Sequence, residues 1–215
     1  MKKPFVTKEQ IEEIAKTYPT PFHIYDEKGI RETARALFKA FSWNKGFKEY
    51  FAVKATPNPF IMNILRSEGC GFDCSSYTEL LLSGQVGAEG HEIMFSSNAT
   101  PDDDFRLAYK MGALINLDDF THIDVLDKLT GIPEFISCRY NPGGEFKTDG
   151  SPNVMDTPKD AKYGFTHDQL IEGKGREEVR YACVPCEQHA YQRLLPHTRG
   201  NPVPHRCGDQ GKDRR

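Results

Sequence analysis

Apolar residues recur at helical spacing in two stretches of the N-terminal part of the chain. The first, Lys8 to Tyr18, follows Thr7, a residue type that commonly caps helices, and the second covers Glu27 to Phe41. Between them, the run Phe22 to Tyr25 is short, aromatic and β-branched, as in a strand. The pattern therefore predicts a helix, a short strand and a second helix before residue 43.

From residue 50 onward, short and nearly continuous apolar runs alternate with amphipathic stretches. The predicted strands are Tyr50–Val53, Gly71–Cys74, Glu92–Phe95, Ala113–Asn116 and Glu134–Arg139. The predicted helices between them are Phe60–Ser67, Thr78–Ser83, Pro101–Met111 and Phe120–Leu129. Nearly continuous apolar strands are typical of parallel sheets that are covered on both faces. A closed (β/α) barrel has about eight such units. The sequence thus predicts an α/β fold that is the N-terminal part of an incomplete, parallel TIM-type (β/α) barrel.

Composition and charge exclude several classes of function. Hydrophobic residues make up 38% of the chain, which is low for a barrel enzyme and indicates that part of the chain lies outside any core. The formal net charge of -3 argues against a nucleic acid or a membrane surface as the main partner. No apolar run is long enough to cross a bilayer, and no hydrophobic stretch follows the first four residues. We expect a cytoplasmic protein whose six cysteines are reduced.

Lys54 stands at the end of the apolar run Tyr50 to Val53, just before the chain breaks at Pro57. Burying a bare ammonium group is costly, and a desolvated lysine amine is a good nucleophile for carbonyls. Schiff-base formation with pyridoxal phosphate is the commonest use of such a lysine. The alternative is an ordinary lysine whose aliphatic stem carries its charge from the strand end into water. The residue pattern alone favours the ordinary lysine, and it is the motifs around Lys54 that change the balance.

Five motifs extend the pattern around Lys54 and occur in one order along the chain. They are Thr20–Asp26, the strand that ends at Lys54, Gly71–Asp73 with Glu79 and Leu80, Arg139–Gly143 and Asp160–Gly164. In these residues and their order the chain resembles the pyridoxal-phosphate decarboxylases of the alanine-racemase-like barrel fold, and diaminopimelate decarboxylase most of all. The resemblance covers about Thr20 to Gly173 and implies a PLP-dependent amino-acid decarboxylase that acts on a small-molecule amino acid. It also implies a homodimer in the full-length family.

The resemblance assigns roles to three residues. Lys54 would form the Schiff base with pyridoxal 5'-phosphate, and Asp73 would lie near the cofactor and orient the lysine or stabilise the protonated imine. Arg139 would lie beneath the cofactor. Each of the last two has an alternative: Asp73 could cap the turn that follows its strand, and Arg139 could be a strand-end arginine paired with a neighbouring carboxylate.

Other polar residues are weaker candidates. Glu79 matches a family glutamate, but in the first turn of a helix it could simply complement the helix dipole. Lys162 matches a family lysine in a loop, and we favour an exposed lysine without a specific role. The run 96–98 lies at the end of a strand, where barrel enzymes build active sites, or in a turn. Three cysteines are interpreted as small buried residues and not as catalysts: Cys70, Cys74 and Cys138.

Several elements of the family have no counterpart in the translated sequence. They are the histidine that packs on the cofactor ring, the glycine-rich loop that holds the phosphate, the Gly-Glu-Pro-Gly-Arg stretch and the C-terminal β-domain. Phosphate contacts usually dominate affinity for such cofactors. We therefore expect this chain to be a truncated diaminopimelate decarboxylase, inactive by itself. A non-catalytic remnant or a regulatory partner of an intact decarboxylase is the alternative, and an ornithine- or arginine-type decarboxylase is a further one.

The composition changes near Gly173. Residues 174–215 carry seven arginines and no sustained helical or strand period, so we expect a disordered or irregular tail. Cys183 and Cys186 form a C-x-x-C arrangement with later histidines, which is superficially similar to a zinc site. We favour a tail that is translated out of frame and holds no metal. A set of codons for residues 182–189, read one nucleotide later, spells His-Ala-Phe-Leu-Ala-Ser-Asn, similar to the family segment with the ring-packing histidine.

These observations divide the chain into three parts. Residues 1–42 would form an N-terminal helix–strand–helix segment, residues 43–173 a partial (β/α) barrel that binds PLP, and residues 174–215 a tail unrelated to the family.

Overall fold

The computed structural model describes residues 4–141, 163–174 and 181–185. The helices are α1 (Lys8–Thr17), α2 (Glu27–Ala40), α3 (Pro59–Ser67), α4 (Tyr77–Gln85), α5 (Asp102–Lys110), α6 (His122–Thr130) and α7 (His167–Lys174). The strands are β1 (Tyr50–Ala52), β2 (Gly71–Cys74), β3 (Ile93–Ser97), β4 (Leu114–Leu117), β5 (Ile136–Tyr140) and β6 (Tyr181–Pro185).

Side-chain caps fix where the helices begin. Thr7 Oγ1 accepts a hydrogen bond from the amide of Gln10, whose side chain accepts in return from the Thr7 amide, and this capping box starts α1. Asp26 accepts from the amide of Gly29 at 3.0 Å at the start of α2. Ser76 accepts from the amide of Glu79 at the start of α4. Each cap satisfies a backbone donor that the first turn leaves unpaired.

The six strands form one parallel sheet in the order β1-β2-β3-β4-β5-β6. Each strand therefore pairs with the next one in sequence, through a crossover that contains a helix. Because such crossovers are nearly always right-handed, a sequential order brings their helices to the same face of the sheet. This is the arrangement found in a (β/α) barrel, and it confirms the predicted fold class.

The hydrophobic core lies between the sheet and the helices that cover one of its faces. Phe72, Ile93, Phe95, Ile115 and Ile136 point toward this helix face and are almost completely buried. The helices contribute residues to the same cluster: Met62, Leu80, Phe105, Ala108, Ile123 and Leu126. Burial of large aliphatic and aromatic side chains is the main stabilising contribution to a fold of this kind.

The opposite face, which we call the inner face, is partly polar. In-register neighbours in a parallel sheet share a face, and so do residues two apart in one strand. The pairings Ala52 with Asp73 and Asp73 with Met94 therefore define one row of inner-face positions. The pairings Ser96 with Asn116 and Asn116 with Ser137 define a second row, nearer the C-terminal ends of the strands. Toward the N-terminal ends of the strands this face is apolar, where Tyr50 and Met94 pack together with Leu114. Toward the C-terminal ends it carries polar side chains.

Most predicted elements agree with the structure within a few residues, but three regions differ. Phe22 to Tyr25 was predicted as a strand and is not one, because it has no pairing partner among the described strands. The strand β6 lies in the tail predicted to be disordered or irregular and pairs in parallel with β5. Helix α7 was not predicted at all. The cysteine and histidine residues from Cys186 onward, on which the zinc interpretation depended, lie outside the described residues.

None of the described helices is long and apolar enough to span a membrane.

Candidate active site

Lys54 lies directly beyond the C-terminal end of β1. The strand ends at Ala52, and a single 3-10 turn, Val53–Ala55, follows and is closed by a hydrogen bond from the Thr56 amide to the Val53 carbonyl at 3.1 Å. Val53 is fully buried and anchors the turn, whereas Lys54 is exposed. Of the two interpretations of the residue pattern, this exposure agrees with the lysine that carries its charge from the strand end into water and not with a desolvated amine. Any chemical role of Lys54 has to come from its place at the mouth of the sheet and from its neighbours.

Asp73 is the acidic residue beside Lys54. It is in register with Ala52 on the neighbouring strand, two residues before the lysine. Burial raises the pKa of Asp73 to about 7, while the charges of Lys54 and Arg139 lower it and that of Glu79 raises it. The oxygen Oδ1 of Asp73 is buried and has no hydrogen-bond partner among the described residues. The helix that follows this turn is capped by Ser76 and not by Asp73.

Arg139 lies in β5 on the inner face, two residues after Ser137. Its Nη1 lies 2.7 Å from Oδ1 of Asp118, which follows β4, and the Asp118 side chain is only 5% exposed. The alternative interpretation of Arg139, a strand-end arginine paired with a neighbouring carboxylate, therefore describes its contact correctly. The same contact brings Arg139 and Asp118 into the polar end of the inner face. Burial raises the pKa of Asp118, and the Arg139 guanidinium opposes that rise.

A second polar contact crosses the inner face between β3 and β4. Asn116 Nδ2 donates to Ser96 Oγ at 2.7 Å, and both residues are buried. The amide oxygen of Asn116 is buried and accepts no hydrogen bond from the described residues. A buried polar atom without a partner is costly, so such an atom in a native fold commonly marks the place of a missing donor. Asn116 and Asp73 thus both present unfilled acceptor oxygens on the inner face.

The segment around Gly164 closes one side of the site. The amide of Gly164 donates to the carbonyl of Asp118 at 2.9 Å, and the amide of Phe165 donates to the carbonyl of Arg139 at 2.7 Å. Gly164 has a φ of 84°, and an added Cβ would lie 3.1 Å from the Arg139 carbonyl oxygen. Only glycine fits this approach without strain. Backbone contacts from one short segment therefore support both members of the ion pair.

The structure gives different positions to the weaker candidates of the sequence analysis, which are Glu79, residues 96–98 and Lys162. Glu79 serves its helix, because its carboxylate accepts from the Ser75 amide at 2.9 Å and from the Ser76 hydroxyl at 3.1 Å. Among residues 96–98, Ser96 is buried on the inner face, whereas Asn98 is exposed. Lys162 lies outside the described residues.

The three cysteines proposed as small buried residues are buried: Cys70, Cys74 and Cys138. Burial raises the pKa of Cys70 to about 11 and that of Cys74 to about 12, which keeps both thiols protonated and unreactive.

Sequence reasoning missed Asp118 and Asn116. The signal was present in Asn116-Leu117-Asp118, where polar side chains alternate with an apolar one as a strand ends. Such alternation places both polar residues on one face. The described residues contain no group of three or more His, Cys, Asp or Glu side chains that could hold a metal ion.

Chemically, the mouth of the sheet combines an accessible primary amine, a carboxyl group that titrates near neutral pH, a fixed guanidinium and unfilled hydrogen-bond acceptors. An amine beside a carboxyl group of this kind is suited to condense with an aldehyde, because proton transfers at the nitrogen need a group with a pKa near the working pH.

The geometry agrees with what the chain matches in other proteins. The family described as pyridoxal-dependent decarboxylase, pyridoxal binding domain, matches residues 27–179. The chain belongs to the pyridoxal-dependent decarboxylases. Its match to the pyridoxal binding domain includes the whole sheet from β1 to β5 and the residues Lys54, Asp73, Asp118 and Arg139.

Individual relatives are similar over part of their length. The chain is 38% identical over 162 residues to protein TabA of Pseudomonas amygdali pv. tabaci, covering 75% of this chain and 37% of that protein. It is 34% identical over 131 residues to the diaminopimelate decarboxylase of Methanothermobacter thermautotrophicus, covering 60% of this chain and 31% of that protein. The chain thus spans about a third of the length of these relatives.

Solved structures of decarboxylases share the fold. Diaminopimelate decarboxylase from Helicobacter pylori, complexed with L-lysine, superposes with a TM-score of 0.67 at 26% identity, over 80% of this chain and 45% of that one. Lysine decarboxylase from Selenomonas ruminantium gives a TM-score of 0.70 at 18% identity, over 85% of this chain and 46% of that one. The second likeness is one of fold alone.

Proposed function

We propose that this chain carries the lysine-bearing half of the active site of a PLP-dependent amino-acid decarboxylase, and that Lys54 is the residue that binds the cofactor. The observation that carries the proposal is the place of Lys54 at the C-terminal end of β1, beside Asp73 and on the same sheet edge as Arg139. Enzymes of parallel barrel architecture use this end of the strands for catalysis.

The residues at the mouth of the sheet fit the reactive part of pyridoxal phosphate. The exposed Lys54 amine is accessible to an aldehyde, and the unpartnered Asp73 oxygen can accept a proton or a hydrogen bond from the resulting nitrogen. Arg139 supplies a positive charge near the Asp73 carboxyl group. The ion pair with Asp118 keeps the Arg139 guanidinium in its place. When bound, the pyridoxal ring system withdraws the electrons that are released as the substrate carboxylate leaves as carbon dioxide.

For the substrate we propose meso-2,6-diaminopimelate, with L-lysine as the product. Two facts support this choice over an ornithine- or arginine-type decarboxylase. Several relatives that are 28 to 34% identical to this chain are named diaminopimelate decarboxylases. The 26%-identical Helicobacter pylori enzyme is complexed with L-lysine. Release of carbon dioxide from diaminopimelate, measured beside ornithine, arginine and lysine under the same conditions, tests the choice directly.

Binding of the cofactor is tested separately from turnover. Pyridoxal phosphate added to the purified chain should give the visible absorption band of a Schiff base. Borohydride reduction should then leave the phosphopyridoxyl group on Lys54, detected by peptide mass spectrometry. Lys54→Ala should lose both signals, while Lys110→Ala, at an exposed lysine in the last turn of α5, should keep them. Equal labelling of Lys54 and Lys110 would contradict the proposal.

Turnover distinguishes an enzyme from a non-catalytic relative. The chain spans 31 to 46% of the proteins compared above. One outcome of the assay is Lys54-dependent binding of pyridoxal phosphate with little or no release of carbon dioxide. That result would favour a non-catalytic remnant or a regulatory partner. Release that depends on Lys54 would establish that the chain works as an enzyme by itself.

A further inference from the structure

Arg139 has two carboxylates near it but pairs with the one that no motif indicated. Its Nη1 lies 2.7 Å from Asp118 Oδ1, with side-chain exposures of 25% for Arg139 and 5% for Asp118. The contact is an ion pair and not a well-aligned hydrogen bond, because Asp118 Oδ1 has no hydrogen-bond partner among the described residues. At this distance and with this little exposure the opposite charges attract each other, and the guanidinium stays next to Asp118.

Asp73 is in the opposite situation. Its Oδ1 is buried without a hydrogen bond, and it takes part in no ion pair among the described residues. It nevertheless feels the positive charges of both Lys54 and Arg139, and the negative charge of Glu79. The charge of Arg139 thus lowers the pKa of Asp73, although Arg139 forms its ion pair with Asp118.

The other charged groups around Asp118 do not replace Arg139. His122 and Asp119 both face it electrostatically. The Asp119 carboxylate accepts hydrogen bonds from the amide and the hydroxyl of Thr121. His122 stacks edge-on against Phe105, and its Nδ1 is buried without a partner among the described residues. Within the described part of the chain, Arg139 is therefore the ion-pair partner of Asp118.

We propose that Asp118 is a positioning residue of the site. It engages Arg139, so that the guanidinium stays beside Asp73 without pairing with it, and the Asp73 carboxyl group remains available to the Lys54 amine. The use of that free carboxyl group rests on the proposed function. The pair of Arg139 with Asp118 rests on their measured contact. The partnership of Asp73 with Lys54 rests on their neighbouring positions at the ends of β2 and β1 and on the effect of the Lys54 charge on Asp73.

The experiment is a pH titration of the Asp73 carboxyl carbon by NMR, on the cofactor-free full chain labelled with ¹³C-aspartate. The resonance is assigned by its loss in Asp73→Asn. In Asp118→Asn, which keeps the shape and removes the charge, we expect the pKa of Asp73 to fall by about one unit. The reason is that the Arg139 guanidinium, no longer engaged by Asp118, would be free to pair with the Asp73 carboxylate and would stabilise its ionised form. The matched control Asp102→Asn, in the exposed first turn of α5, should leave the titration of Asp73 unchanged.

Two further variants test whether the effect passes through Arg139. In an Arg139→Gln background, Asp118→Asn should lower the pKa of Asp73 by much less than it does when Arg139 is present. With Arg139 present, Asp118→Glu should keep a titration close to that of the original chain. An unchanged or raised pKa in Asp118→Asn, or the same fall without Arg139, would overturn the proposal.

If Asp118→Asn does not fold, Arg139→Gln decides alone. Loss of the Arg139 charge, which lowers the pKa of Asp73, should then raise that pKa, and a fall or no change would count against the proposal. Because no cofactor is present in these titrations, their failure is distinguishable from a failure of Lys54 to bind pyridoxal phosphate.

Discussion

At the scale of single residues, the burial of Asp73 makes ionisation of its carboxyl group unfavourable. Its pKa is raised to about 7, mainly by burial. An acid whose pKa is higher in the folded than in the unfolded state stabilises the fold at low pH, and that contribution is lost as pH rises from about 4 to about 7. Ionised Asp73 should therefore destabilise the fold at neutral pH.

Asp73→Asn tests this directly. Above about pH 7 the variant should be more stable than the original chain by about 1 kcal/mol, a modest gain because the site is partly open to water. Near pH 4 the difference should vanish, since the carboxyl group is then protonated in the folded protein. Urea unfolding at the two pH values measures it. A variant that is less stable at neutral pH would mean that Asp73 is mainly a structural partner of Lys54 or Arg139.

The site shows how far single residues can be interpreted from sequence. Lys54, Asp73 and Arg139 could be selected because each ends a recognisable apolar run and matches a family motif. Asp118 and Asn116 could not, because their importance depends on which strand lies next to β5 and β3 and in which register. The exposure of Lys54 was one of two interpretations of its sequence pattern, and the structure was needed to decide between them.

At the scale of secondary-structure elements, Gly71 fixes how closely β1, β2 and the segment before β3 approach. A Cβ at this position would lie 2.5 Å from the Glu92 carbonyl oxygen and 2.7 Å from the Tyr50 ring. Gly71→Ala should therefore cost about 1 to 3 kcal/mol, because backbone and a buried ring would have to move. Gly84→Ala in α4 is the control: it meets only the flexible end of Met111 at 3.2 Å.

Thermal unfolding measures both variants. Gly84→Ala should be neutral or stabilising by up to about 1 kcal/mol, because alanine favours a helix interior over glycine. If Gly71→Ala were tolerated as well as Gly84→Ala, the close packing of β2 against Tyr50 and Glu92 would not exist in solution.

The contact between α2 and the end of α3 depends on one acid. Glu68 accepts hydrogen bonds from Arg35 and Arg31, at 2.7 and 2.8 Å, and these bonds lower its pKa to about 2. A lowered pKa means that the stabilisation is complete above about pH 4.5, the unfolded range for glutamate, and is lost as pH falls toward 2. Glu68→Gln should thus lower stability at neutral pH and have no effect near pH 2.

Chemical unfolding over this pH range checks the prediction. Glu32→Gln is the matched control, because the Lys28–Glu32 pair is exposed and 3.8 Å long, and such pairs contribute little. Equal losses in the two variants at neutral pH would show that Glu68 acts as an ordinary surface charge.

Elements were predictable where the periodic pattern and the tertiary structure agree. Most residues of the strands from Gly71 to Tyr140 are buried and each strand carries several apolar residues, so the strands are easy to recognise between the amphipathic stretches. The extended residues from Phe22 to Tyr25 have the composition of a strand, but pairing decides strand structure, and no described strand lies beside them. In β6 the reverse holds: Tyr181–Pro185 sits in a segment without a clear pattern and is ordered by its pairing with β5.

At the scale of the whole molecule, stability should decrease from the centre of the sheet toward the N-terminus. Strands β2, β3 and β4 have hydrogen-bonded neighbours on both sides, and residues of all three belong to the main core. Strand β1 has one neighbour among the described strands. Helix α1 contains no buried residue at all, although Ile11 and Ile14 give it an apolar side. Local opening costs least where few apolar contacts must be broken.

Hydrogen–deuterium exchange should follow this gradient. Amides of β2, β3 and β4 should exchange most slowly, those of β1 faster, and those of α1 almost as fast as in an unfolded peptide, because isolated helices of about ten residues are marginal in water. The capping box at Thr7 and the exposed ion pairs of α1 add only small stabilisation. If α1 were protected as strongly as β3, its apolar side would be covered in solution by a surface that the described contacts do not include. Dilution would then distinguish the sources: protection that falls on dilution indicates a second copy, and protection that persists indicates the same chain.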